Sequence, residues 1–136
     1  LTEAQIGRLA QCSSRLIEQM PQLEPKLIQN KKKISRYVFI ILFVSLHEKS
    51  VRELLDVMQL PYGSPQRLLE FRKYSAIYGR FDAKRKPDKP LTLHEVSVNE
   101  AAAQLCLRQP ALLTRRDELF PLARQVNSDA FMIWIE

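Results

Sequence analysis

Two cysteines, Cys12 and Cys106, and two histidines, His47 and His94, are the side chains with which this 136-residue chain could hold a metal ion or attack a substrate. Local chelation of zinc places its ligands a few residues apart, and no two of these four sit at such spacing. Cys–His nucleophilic catalysis would need one pair activated in a cleft, and nothing local brings them together. His94 reads instead as a polar residue in a first helical turn, and Cys106 as a small core residue beside Leu105. The carboxylates Asp117 and Glu118 stand next to Arg115 and Arg116, where pairing with the helix dipole explains them without acid–base work. A Gly-rich phosphate cradle is missing too, since the chain has only 3 glycines. These residues predict a protein that is no enzyme and needs no metal or cofactor.

Charge offers the other chemistry. The formal net charge is +6 and the isoelectric point near 9.6. Much of it can simply solvate outer helix faces, but two clusters stand out: Lys31, Lys32 and Lys33, and Lys84, Arg85 and Lys86. Short basic tracts of this kind act as nuclear-import signals or contact phosphate. The second cluster, in the Pro-flanked stretch DAKRKPDKP (residues 82–90), is the better import candidate. For reading bases there is no zinc finger and no helix-turn-helix with a central glycine. Tyr74 and Tyr78 could stack on bases, but their spacing with Leu68 and Phe71 marks a core face. A basic helical nucleic-acid-binding module using Lys31–Lys33 and Lys84–Lys86 is thus the alternative reading, while the charge read as solvating predicts no direct sequence-specific DNA binding. The absence of a CxxC pattern suits a reducing compartment.

The elements that must position these residues read as helices. With 46% hydrophobic and 26% charged residues the chain is globular in composition, and it is long enough to bury a core. Thr2 and Gln5 form a capping box, followed by Ile6, Leu9, Ala10, Ser13, Leu16, Ile17 and Met20 at helical spacing. A second helix is expected from residues 23–25, with Lys31, Lys32 and Lys33 mostly outward. The run YVFIILFVSL (residues 37–46) holds 10 residues, against the roughly 20 that a membrane span requires. No membrane segment is predicted, and periodicity leaves helix and strand both open for this run. Ser50 with Glu53 opens a further helix. PYGS (residues 61–64) is a turn, after which Ser64 and Pro65 start a helix with Leu68, Phe71, Tyr74 and Tyr78 inward and Gly79 as its stop. Thr92–Glu95 and Ser97–Glu100 are nested boxes, so the next helix has two possible starts. Its face is Val98, Ala101, Ala102, Leu105 and Cys106. Thr114 with Asp117 is expected to cap a last helix facing inward through Leu119, Leu122, Ala123 and Val126, kinked or started late by Pro121. The predicted fold is all-α, a small bundle of about five to six helices. The faces of the last two helices are expected to pack on each other, with the aromatic face as a third wall.

Three segments carry a resemblance: RKYSAIYGRFD (residues 72–82), LTLHEVSVNEAAAQLC (residues 91–106) and ALLTRRDELFPLARQV (residues 111–126). They resemble the second shared domain of the NGFI-A-binding (NAB) transcriptional corepressors, with a weaker likeness over residues 16–36. The resemblance implies a nuclear, non-enzymatic domain that represses promoters bound by early-growth-response-type zinc-finger activators. In the family those zinc-finger transcription factors are met through a first domain that has no counterpart in these residues. Repression there is linked to chromatin-remodelling and deacetylase corepressor machinery, and self-association remains open. The chain opens on Leu1, so a piece of a longer polypeptide is expected. The expected domain covers residues 1–128, with 37–50 an atypical apolar insertion and 129–136 a tail outside it. The run 37–46 and the end FMIWIE depart from the family pattern, as lineage-specific structure or as retained non-coding sequence.

Overall fold

Helix α1, Glu3–Glu18, begins where Thr2 and Gln5 satisfy each other's backbone: Gln5 N–H donates to Thr2 Oγ1 at 3.1 Å, and Thr2 N–H to Gln5 Oε1 at 2.8 Å. The computed structural model describes residues 1–23, 56–79 and 90–135. Within them follow a helical turn at 56–58, then α2 (Pro65–Ser75), α3 (Leu93–Arg108), a 3₁₀ helix (Pro110–Thr114) and α4 (Arg116–Ile135). The described residues contain no strand, as the all-α reading expects. The helix expected from 23–25, the apolar run 37–46, the Ser50 cap and both basic clusters (Lys31, Lys32, Lys33 and Lys84, Arg85, Lys86) lie outside the described residues.

Helix α3 is the axis of the bundle. It packs against α1, α2 and α4, and α1 also touches α4. Encirclement explains why its burial exceeds the face expected from the sequence. Val98, Ala101, Ala102, Leu105 and Cys106 are buried, and so are Ala103, Ser97, Glu100 and Gln104. Alanine at 101, 102 and 103 removes bulk on successive faces, which lets neighbouring helices approach closely. Around it the core takes Leu9 and Cys12 from α1, Phe71 and Tyr74 from α2, and Leu119, Ala123, Val126 and Ala130 from α4. Each Leu, Val or Phe side chain so enclosed contributes on the order of 1.5–3 kcal/mol, and the alanines less. Three walls therefore meet, with Tyr78 edge-on to Phe120 at 6.0 Å, but Leu68, expected inward, is half-buried outside the core.

The helix ends depart from local expectation in three places, and at one more the structure chooses between two expected starts. Between the two nested boxes the structure uses Thr92, whose Oγ1 accepts from Glu95 N–H at 3.2 Å; Ser97 is left buried inside the helix. Helix α2 stops at Ser75, ahead of Gly79, because the carbonyls of Tyr74 and Ala76 accept from Arg116 at 3.1 and 2.8 Å. Gly79 still has a role beyond the helix: its φ is +86°, and a Cβ there would sit 3.3 Å from Leu91. Thr114 is not the cap of the last helix. It closes the 3₁₀ turn by donating to the Ala111 carbonyl at 2.8 Å, and α4 starts on the Arg115 carbonyl, which accepts from Glu118 and Leu119 N–H. Nor does α4 start late. Pro121 falls in its second turn and removes one bond, that to the Asp117 carbonyl, at a residue open to water. The helix then continues past residue 128, and Ala130 joins the core.

Candidate interaction surface

Most of the polar side chains at the helix ends are committed to holding the fold. Asn99, on α3, accepts from the N–H groups of Ile77 and Tyr78 at 2.9 Å each and donates to the Tyr78 carbonyl at 3.0 Å. Its amide thereby stands in for a neighbouring backbone and fixes the chain where it leaves α2. Gln109, 2% exposed at the end of α3, does the same for the exit of α1: it accepts from Leu23 N–H and donates to the Pro21 carbonyl. Arg72 and Glu100 form a two-pronged ion pair across α2 and α3, both bonds 2.9 Å, and Gln104 adds a third bond to Glu100. These interactions are structural.

The residues first considered for chemistry are dispersed. Cys12 and Cys106 are buried free thiols on α1 and α3. Burial pushes both up from the ordinary thiol value, Cys106 the further, with Asp129 also raising Cys12. A thiol held protonated is a poor nucleophile. His94 is exposed in the first turn of α3, 3.5 Å from the amide nitrogen of Asn127. Asp117 and Glu118 stand in the first turn of α4 as expected, Glu118 also pairing with Arg115 at 2.6 and 3.0 Å, and Arg116 reaches across to cap α2. No group of His, Cys, Asp or Glu among the described residues could hold a metal ion, and none of their helices is long and apolar enough to cross a membrane. The basic residues singled out from sequence, Lys31, Lys32, Lys33, Lys84, Arg85 and Lys86, lie outside the described residues.

A surface feature that sequence reasoning missed is an open groove of about 660 Å³ between the PYGS turn and the C-terminal end of α3. Gly63 makes the turn possible with φ +76°, and Ser64 caps α2 by accepting from Arg67 N–H at 3.1 Å. Arg67 is 2% exposed, a buried cation whose Nη1 donates to the carbonyls of Met58 and Leu60 at 3.0 and 2.7 Å. Its guanidinium lies 4.4 Å from the ring centres of both Phe71 and Tyr62. The stack gives Tyr62 a contact with the fold although that residue is 82% exposed. On the opposite wall Leu107 and Arg108 face the groove, and Arg108 Nη1 is 2.9 Å from both the carbonyl and the side-chain oxygen of Gln104. Burial lowers the Arg108 guanidinium from its ordinary value. The lone sequence signal for this site was the turn itself; the cation stack depends on the helix that follows it.

Fold and surface define the class: a small all-α domain whose described polar groups pin helix ends, with a broad groove open at its surface. The chain belongs to the NAB family, matching NAB conserved region 2 over residues 1–50 and 43–133. It is 52% identical over 130 residues to the NAB transcription cofactor mab-10 of Caenorhabditis elegans, covering 96% of this chain and 20% of that protein. Against the NGFI-A-binding protein homolog of Drosophila melanogaster the identity is 53% over 133 residues, 96% of this chain and 19% of the other. NGFI-A-binding protein 1 of Mus musculus is 45% identical over 125 residues, 89% of this chain and 22% of its own length. The likeness read from residues 72–126 thus extends over nearly the whole chain, which spans about a fifth of the length of these relatives.

Proposed function

We propose that this chain is the repressing domain of a nuclear transcription cofactor and that it acts by recruiting protein partners, without catalysis. The observation that carries the reading is the family match, which runs through 1–50 and 43–133 and includes all the described helices to residue 133. Relatives matched along this region bear the names transcription cofactor and NGFI-A-binding protein. On this reading the whole protein reaches promoters through zinc-finger activators bound elsewhere in the polypeptide, and this domain brings chromatin-remodelling or deacetylase machinery. The architecture supports it, since a rigid bundle with side-chain-pinned loops presents a fixed surface at little ordering cost.

Fused to a heterologous DNA-binding domain, residues 1–136 lower the output of a reporter. Unchanged output from a fusion that is folded and nuclear sinks the corepressor reading. Lys84, Arg85 and Lys86 supply nuclear import: replacing all three by alanine shifts a fluorescent fusion toward the cytoplasm and leaves repression intact once an unrelated import signal is added. Duplex DNA binds weakly, without sequence preference, and its affinity falls steeply with salt as counterions are released. Sequence-selective binding that persists at physiological salt would instead favour a nucleic-acid-binding module.

A further inference from the structure

The groove between the PYGS turn and the end of α3 has the composition of a peptide site. Its lining includes Tyr62, Pro65, Leu68 and Leu107 as apolar surface, with Arg67 and Arg108 as cations, and no carboxylate. Both arginines bond to neutral oxygens: Arg67 to the carbonyls of Met58 and Leu60, Arg108 to Gln104. Among the described residues neither cation pairs with an acidic group, so the lining is cationic over an apolar floor. Arg67 contributes field without contact, because the residue is 2% exposed and its Nη1 is engaged with the Met58 and Leu60 carbonyls. Arg108, at the surface, is the group a ligand can touch. Tyr62 offers an anchor, a large exposed ring oriented by its contact with the Arg67 guanidinium, which also lies over Phe71. A volume of about 660 Å³ accommodates several side chains, within the few-hundred to roughly 1,000 Å³ span of ligand sites.

We propose that this groove binds a short acidic peptide of a partner protein, with an apolar side chain seated among Tyr62, Leu68 and Leu107 and a neighbouring carboxylate on Arg108. The proposal deepens, and rests on, the reading of the domain as a recruiter of proteins. Nucleic acid is the poorer occupant. A phosphate backbone needs a track of accessible cations, whereas one of these two is enclosed and the aliphatic floor offers a phosphate nothing.

The test is peptide-display selection from a random dodecapeptide library on the immobilised 136-residue protein, followed by fluorescence anisotropy with labelled members of the enriched pool. The expected pool is net negative and carries an aliphatic or aromatic residue beside an acid. Its affinity falls at least about tenfold with Arg108→Glu and with Tyr62→Ala, and Arg108→Lys recovers most of the first loss. Tyr62→Ala removes one of the two rings over the buried Arg67 guanidinium, so a thermal melt showing the variant still folded at the assay temperature separates lost binding from lost folding. A pool without acidic bias, no enrichment at all, or equal affinity for the variants overturns the proposal. So does duplex DNA that binds the wild type and loses tenfold with Arg108→Glu, since that assigns the groove to nucleic acid. In the tethered reporter, repression that survives Arg108→Glu removes the groove from recruitment. Failure of the wild-type fusion to repress removes the corepressor reading itself, and peptide binding in vitro stands or falls independently of it.

Discussion

At the scale of single residues, the described bundle is held by side chains that do the work of backbone. Asn99 satisfies two N–H groups and one carbonyl beyond α2, so its loss leaves three partly buried groups to find water. Asn99→Ala is expected to cost about 1–3 kcal/mol, measured by urea unfolding at unchanged m-value. Asn99→Asp keeps the two accepted bonds and loses the donated one, so it falls between. Cys106 provides a pH handle. Its thiol is raised by burial in the folded state, so above the ordinary value of 9.0 the unfolded chain releases a proton that the native one retains. The sign follows: this contribution to stability is complete below pH 9 and declines as pH rises above it. Chemical denaturation of wild type and Cys106→Ala across that range measures it, and a wild-type curve parallel to the variant's contradicts the assignment. Sequence periodicity placed Cys106 on the inner face, yet the depth that raises its thiol comes from three helices meeting around it.

Among the elements, α3 decides stability, because α1, α2 and α4 all lean on it. Leu105 is fully buried there, and Leu105→Ala is expected to cost on the order of 2–5 kcal/mol in a thermal or urea melt. Ala102→Leu probes the opposite error, adding volume to a seam with no room, at about 1–3 kcal/mol. A silent outcome for either would mean the axis is less tightly packed than its burial indicates. The starts of α1 and α2 were legible from sequence because Thr2–Gln5 and Ser64–Pro65 act within one turn of their own helix. The end of α2 was not. Gly79 is the better local stop, but Arg116 gathers the carbonyls of Tyr74 and Ala76 and ends the helix sooner. Likewise Thr114 had the right spacing to cap α4, and its hydroxyl went to the Ala111 carbonyl once Pro110 had started a 3₁₀ turn.

For the molecule as a whole, the length of α4 has a consequence for where the folded unit ends. Ala130 is core, and Gln125 donates to Asp129 at 2.8 Å one turn earlier on the surface. Ending the chain at residue 128 therefore removes packed surface, and a lowering of the melting temperature by several degrees is expected by circular dichroism. An unchanged melt would place the end of the domain at 128. The groove is likewise a property of the whole arrangement, since its two walls come from the PYGS turn and from the far end of α3.

The sequence by itself determined the helical class, the starts of α1 and α2, the inward faces of α3 and α4 and the family, because caps, periodicity and motif all act among residues a turn or two apart. Where the helices stop and which buried cation goes without an acid were decided by tertiary structure. So was the way Tyr62 and Arg108 come to line opposite walls of one groove. Each of these depends on a side chain meeting a backbone or ring that folding brings to it: Arg116 to α2, Asn99 to Tyr78, Gln109 to Pro21, and Arg67 to a turn and two rings. A helix carries its own start within one turn, but its stop and its neighbours are supplied from elsewhere in the chain.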